Sequence, residues 1–235
     1  MNKSSREVRK SVMYSQNFTV NSLLIANLIE QSSISKEDVV FEIGSGTGVI
    51  TAELARKCKK VITVEIDNEL VKKLRIKFSN VSNIEIREGN FLSYPLTESI
   101  YKVFSNIPFN ITTAIIKRLT EAENPPLDMF LFVQHDAGKK FVGVPIAKET
   151  QYSLLLKPSF ELSVVLRFKR TDFRPVPNVD IVLLRIKKRV QPMVEPKNIQ
   201  LYRDFIVYSF NIWKPTLKDG LKKIFTDNQF LRLAK

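Results

Sequence analysis

Residues 39–48 read VVFEIGSGTG, an apolar run of strand length that breaks into glycines at positions 44, 46 and 48. Val, Ile and Phe suit a pleated strand buried on both faces. Glycines at its end let the backbone pass close beneath a ligand where a Cβ would collide. The next run, VITAELARKC (49–58), has helical spacing. A strand feeding a glycine loop and then a helix opens a βαβ unit, and such sheets bind ligands at their carboxyl edge.

The alternation continues on either side. VITVEI (61–66) reads as a strand, ELVKKLRIKF (69–78) as a helix, and NIEIREGN (83–90) and KVFSN (102–106) as strands. TTAIIKRLTEA (112–122) reads as a helix and DMFLFVQ (128–134) as a strand, while upstream NSLLIANLIEQ (21–31) is a helix capped by Asn21 or Ser22. This predicts an α/β protein with a mostly parallel sheet covered on both faces. From about residue 160 the texture changes: ELSVVLRFKR (161–170) and VDIVLLRIKKR (179–189) read as an antiparallel closing pair joined by TDFRPVPN. QPMVEP (191–196) reads as a linker and residues 199–235 as short amphipathic helices. The expected division is a main domain over 1–190 and a small helical lobe over 191–235.

Composition narrows the chemistry. The 235 residues carry a net charge of +13 and a sequence pI near 9.8, an excess that points to a polyanionic partner or, more blandly, to a lysine-rich surface. Cys58 is the sole cysteine, so an internal disulfide and a cysteine zinc site are excluded. His135 is the sole histidine, which disfavours histidine triads and multi-histidine metal sites; no metal is expected. The N-terminal MNKSSREVRKSV (1–12) lacks the apolar centre of a secretory signal, and the run MFLFV (129–133) is far too short to span a bilayer. A cytoplasmic monomer without a membrane partner is expected.

The loop also restricts its ligand. A dinucleotide fingerprint requires a third glycine where Val49 stands. The spacing here is GxGxG, preceded by Glu42, and the second strand ends in Glu65, placed to accept hydrogen bonds from ribose hydroxyls. Asn90 ends the third strand, where an adenine edge would lie. The set favours S-adenosylmethionine (SAM) over NAD. The competing readings are glycines that serve packing alone and a Glu65 that is a solvated strand end.

The fourth strand then delivers Asn106-Ile107-Pro108-Phe109 to the same edge. The lone pair of an adenine N6 is delocalised into the ring, so that nitrogen is a poor nucleophile. Two acceptors aimed at its protons, the Asn106 side-chain oxygen and the Ile107 carbonyl, can turn it toward sp³ and stabilise the charge that develops. Pro108 stiffens the turn, and Phe109 can stack on the base. No histidine base is required. The alternative is an ordinary Asn-Pro turn with a core phenylalanine.

With these motifs in order, the chain resembles the ribosomal RNA adenine N6-methyltransferases, the superfamily of the Erm macrolide-resistance enzymes and the KsgA-type 16S dimethyltransferases. The likeness runs over residues 13–190 and more weakly to the end. SQNF (15–18) resembles the family's N-terminal motif, EIGSGTG its SAM loop, VEID (64–67) its ribose-binding motif and NIPF its catalytic motif. The fold implied is a SAM-dependent methyltransferase Rossmann-like sheet with a C-terminal helical lobe, 1–190 being the SAM-binding catalytic domain. The cofactor residues implied are Gln16, Asn17, Gly44, Gly46, Glu65, Ile66, Asn90, Phe91 and Asn106. FRPVPNVD (173–180) resembles the segment whose aromatic, here Phe173, would contact the target base together with Phe109.

Asn90 departs from the Asp found in many members, although its carbonyl can still accept a bond from the SAM adenine. Phe109 replaces Tyr and keeps the stacking face. NIPFNITTAI, VQHDAGKKF (133–141) and the short C-terminal lobe lean toward the Erm branch. The substrate implied is an adenine of 23S rRNA, methylated at N6 in the drug-binding region, with antibiotic resistance as the consequence. A 16S rRNA dimethyltransferase stands as the runner-up, followed by an idle RNA-binding factor on the same fold and, more distantly, a NAD-linked enzyme. Residues 167–189 hold eight Lys or Arg against two acidic residues, and the final 35 hold seven against three, so RNA contact is expected on both. His135 is expected to make local or RNA contacts, and Cys58 to be structural.

Overall fold

The computed structural model describes residues 18–19, 21–214 and 216–233. After β1 (Phe18–Thr19) and α1 (Ser22–Gln31) come β2 (Val39–Ile43), α2 (Val49–Lys57), β3 (Lys60–Glu65), α3 (Asn68–Lys77), β4 (Ile84–Glu88) and β5 (Lys102–Asn106). They are followed by α4 (Thr112–Thr120), β6 (Asp128–Gln134), α5 (His135–Val142), α6 (Gln151–Leu156), β7 (Phe160–Arg167), β8 (Phe173–Arg174) and β9 (Ile181–Lys188). The last elements are α7 (Ile199–Phe210), α8 (Leu217–Leu221) and α9 (Asp227–Leu233). Every strand expected between residues 39 and 134 lies within a residue or two of its predicted bounds.

Seven strands form one sheet in the order β4-β3-β2-β5-β6-β9-β7. Pairing is parallel from β4 to β6, and β9 runs antiparallel to both neighbours, as the closing-pair reading expects. The chain builds outward from β2 to β4 and then crosses back to β5. Strand order therefore reverses between β2 and β5, and the crevice above such a reversal is where open α/β sheets bind ligands.

Alternation along the strands divides the core in two. On β6, Met129, Leu131 and Val133 face one cluster, with Ile115, Leu119 and Phe141 of the covering helices. Phe130 and Phe132 face the other, with Ile25, Ile29 and Leu54. This period-2 division of a wholly apolar strand is what burial on both faces demands.

Two features were not expected. TDFRPVPN is more than a connection: Phe173 and Arg174 form β8, which pairs antiparallel with β1. Helices α5 and α6 cover the sheet beyond β6. The helical portion after residue 190 is present and fastened to the sheet domain: the Tyr202 hydroxyl donates to the Leu154 carbonyl at 2.9 Å, and Arg203 pairs with Glu121 at 2.7 Å. Among the described residues, no helix is long and apolar enough to cross a membrane, and no group of three or more metal-ligating side chains occurs.

Candidate active site

The reversal point is physically open. β2 and β5 pair only at Val40↔Lys102 and Phe41↔Val103, then part toward their carboxyl ends. The Ser105 side chain takes over the missing ladder, accepting from the Ile43 N–H at 3.0 Å and donating to the Ile43 carbonyl at 2.7 Å. The bridging side chain keeps the strands tied where the direct ladder has ended. On one side of the gap stands the glycine loop, on the other Asn106.

In the loop, Gly44, Gly46 and Gly48 all have positive φ, a conformation that favours residues without a Cβ. They are not equivalent. A Cβ on Gly44 would meet nothing within 4 Å, whereas one on Gly48 would lie 2.7 Å from Leu74 and Phe78. Gly48 thus serves helix packing, and Gly44 keeps the space above the loop clear. Glu42, Gly44, Ser45 and Asn106 line a common narrow crevice of about 20 Å³ between the strand ends.

Two carboxylates are buried beside this crevice, Glu42 at 1% exposure and Glu65 at 0%. Glu65 accepts from the N–H groups of Gly46, Ile66 and Asp67 at 2.9–3.0 Å. It therefore holds the loop in shape, with part of its acceptor capacity left for a ligand. Glu42 accepts from the Thr51 hydroxyl. Burial, reinforced by the nearby Glu65 charge, pushes its carboxyl up to about 8. The Ser45 hydroxyl is buried without a hydrogen-bond partner among the described residues and lines the same crevice. A buried unpaired hydroxyl is costly, and of the four such side chains found among the described residues Ser45 is the one that lines this crevice. Sequence reasoning noticed Glu42 but gave it no role, and it missed Ser45 and Ser105 altogether.

Across the gap, Asn106 ends β5 and Ile107 is buried at 1% exposure, which anchors the turn. Pro108 follows at φ −61° and ψ 126°, and a 3-10 turn over Phe109–Ile111 leads into α4. The Phe109 ring is half-buried, packed against the second core cluster with part of its surface outward.

The remaining predicted residues divide. Gln16 and Asn17 lie outside the described residues. Ile66 keeps 42% of its surface exposed beside Glu65, an apolar platform at the rim. Asn90 is exposed, and its side chain accepts from the Leu92 N–H at 3.0 Å. The Phe91 ring is buried in the core at 4% exposure, so only its backbone can reach a ligand. Phe173 departs most from its predicted role. It is fully buried, edge-on to Phe132 and Phe168 with ring centroids 6.3 and 5.5 Å away. In this arrangement the ring is enclosed in the second core cluster, where it supports the rim. Cys58 is buried, which pushes its thiol up to about 11, away from reactivity. His135 opens α5 at the carboxyl end of β6.

Three comparisons bear on this geometry. The family model described as ribosomal RNA adenine dimethylase matches residues 7–235. An rRNA adenine N-6-methyltransferase of Lysinibacillus sphaericus is 30% identical over 94% of this chain and 86% of its own length. The Ribosomal RNA small subunit methyltransferase A of Clostridium botulinum (strain Langeland) is 27% identical over 93% of this chain and 82% of its own length. Among solved structures, that of the 23S rRNA methyltransferase ErmE superposes with a TM-score of 0.85 at 27% identity, covering 92% of this chain and 88% of that one. The architecture is therefore the Rossmann-like methyltransferase fold.

Proposed function

This chain belongs to the ribosomal RNA adenine dimethylase family, and from that premise we propose that it methylates the N6 of an adenine in 23S rRNA, conferring resistance to macrolide-type antibiotics. As a family member it is a SAM-dependent rRNA adenine methyltransferase. The observation that carries the site assignment is the crevice shared by Gly44, Glu42 and Asn106, which brings the glycine loop and the Asn106–Phe109 turn within one ligand's reach.

The residues fit the cofactor. The open space over Gly44 admits it closely, the unpartnered Ser45 hydroxyl offers a polar contact, and two buried carboxylates without an ion pair among the described residues suit a cation. When bound, SAM supplies an activated methyl group on a positively charged sulfur. The chain's own residues then have three tasks. The Asn106 side-chain oxygen and the Ile107 carbonyl accept from the adenine amino group, drawing its lone pair out of the ring. The buried Ile107 side chain fixes both acceptors, and such positioning carries much of the barrier reduction in a bimolecular transfer. Phe109 stacks on the base once it is extruded from its helix or loop. The basic stretch 167–189 and the helical lobe over 191–235 hold the surrounding RNA phosphates.

The 23S reading rests on the likeness to ErmE, together with NIPFNITTAI and VQHDAGKKF. A 16S reading is favoured by the small-subunit relatives such as that of Clostridium botulinum. Primer extension and fragment mass analysis across both rRNAs, from cells with and without this protein, separate the two. A new methylated adenine in 23S rRNA is the expected result. A mark confined to 16S rRNA transfers the assignment to the second reading, and no mark in either removes the catalytic one.

A further inference from the structure

A second cavity opens on the same rim, about 260 Å³ in volume, lined by Gln134, His135, Asp136, Arg170, Val179 and Asp180. Its place follows from the strand register. Asn106 pairs with Phe132 on β6, and Gln134, two residues further along, pairs with Ile181 of β9. One strand spacing across and two residues up puts Gln134 roughly 8 Å from Asn106, backbone to backbone. The His135 N–H donates to the Asp180 carbonyl at 2.8 Å, closing the floor between β6 and the approach to β9.

The lining selects a kind of ligand. Both carboxylates that line the space have cations beside them, Arg167 and Arg170 at Asp180 and Lys139 at 3.6 Å from Asp136, so the wall is a balanced set of donors and acceptors and not a cluster of free cations that would clamp a phosphate. A nucleobase presents donors and acceptors in one plane, and this wall offers both. Arg170 binds Asp180 through Nε and an Nη, at 3.0 and 2.9 Å. Arg167 holds the same carboxylate from the other side. The pair locks the Arg170 fork in orientation and leaves its outer N–H groups available for two acceptors on a base edge, the geometry by which arginine reads a purine. Gln134 adds an amide, and Val179, 37% exposed, adds an apolar contact. The volume lies just under the ~300 Å³ at which sites for drug-sized ligands begin, a size suited to one base.

We propose that this cavity holds the nucleotide next to the methylated adenine, a purine whose acceptor edge faces Arg170. The inference rests on the RNA-methyltransferase reading and adds to it a sequence-reading element beside the reacting base. It gives His135 and the 170–180 segment a role in holding the RNA.

The test uses the shortest fragment of the accepted rRNA that still takes up labelled methyl groups. Each base flanking the target adenine is replaced in turn by an abasic site, and KM for RNA is measured with wild-type protein and with Arg170→Gln. One of the two replacements should raise the wild-type KM about tenfold. With Arg170→Gln the same replacement should add nothing, because the interaction is already gone. Val179→Phe, which fills the cavity, should give the same loss of coupling. SAM affinity measured by calorimetry should be unchanged in both variants, which also reports that they fold. Losses that multiply independently, or a KM insensitive to both flanking bases, overturn the subsite while methyl uptake continues. If no RNA fragment takes up methyl groups, the function reading has failed and the proposal falls with it.

Discussion

Buried carboxylates are treated in opposite ways at the two edges of the sheet. At the amino edge, charged groups are partnered. Asp128, 2% exposed, receives Arg185 through both Nε and Nη and the Ser33 hydroxyl at 2.8 Å. Lys102 meets Asp38 at 2.8 Å. At the carboxyl edge, Glu42 and Glu65 are as deeply buried, yet neither forms an ion pair among the described residues. Their partners are backbone N–H groups and one hydroxyl. Burying a charge is tolerable only when it is paired, hydrogen-bonded or neutralised. The amino edge is complete as folded, whereas the carboxyl edge keeps electrostatic capacity in reserve for a ligand. One edge serves stability and the other function.

The largest effect expected from this contrast is on folding. Arg185→Met strips Asp128 of its cation and leaves a buried carboxylate with only Ser33. Such uncompensated burial costs about 3–5 kcal/mol, which corresponds to a melting temperature lower by roughly 6–20 °C for a chain of this size. Thermal denaturation checks the shift, and calorimetry with SAM at low temperature should show unaltered affinity. A variant that melts normally but binds SAM poorly would reverse the assignment of the two edges.

The next effect is confined to chemistry. Asn106→Ala removes one of the two acceptors for the adenine amino group. Loss of a comparable preorganised hydrogen bond elsewhere costs about 10²–10³ in kcat. SAM affinity should fall far less than kcat does, because Asn106 is one of several residues lining the cofactor crevice and the turn stays anchored by the buried Ile107. Single-turnover methyl transfer to rRNA measures it. Unchanged turnover would deny Asn106 its role and leave the crevice a cofactor site with the acceptor elsewhere.

These contrasts were only partly legible in the sequence. Strand positions, the glycine loop and the Asn106 turn were readable because each is local: an apolar run, a glycine spacing, an Asn-Ile-Pro-Phe quartet. What failed to show was set by distant partners. Phe173 sits in a segment whose pattern suggests base contact, but its ring is claimed by Phe132 and Phe168, residues that β6 and the end of β7 bring alongside. HDAGKKFV gave little helical signal because it is short and contains Gly138, yet a Cβ there would lie 2.9 Å from Val182, so the glycine is required by the sheet beneath α5. Ser105 in KVFSN looked like an ordinary polar residue in a strand. Its bridging role follows from the parting of β2 and β5, which no local pattern announces.

The last effect concerns the reserve itself and is read against pH. Glu42 carries a carboxyl raised to about 8 by burial, with Glu65 adding to the rise and Thr51 and Lys77 opposing it. A carboxyl whose pKa is higher folded than unfolded binds its proton more tightly when folded. Its stabilising contribution is complete below the ordinary value of 4.5 and is lost as pH climbs through about 8. The difference in melting temperature between wild type and Glu42→Gln should therefore change steadily from pH 5 to 8, with the variant gaining on the wild type. Cofactor binding should run the other way. A cation arriving in the crevice favours the ionised form, so SAM should release up to one proton near pH 7, and its affinity should rise with pH by at most tenfold per unit. Calorimetry in buffers of different ionisation enthalpy counts that proton directly. Glu42→Gln should release none, and its affinity should be flat with pH. Equal proton release in wild type and variant would mean that Glu42 is already charged in the folded protein, and the two edges of the sheet would then differ less than their ion pairs imply.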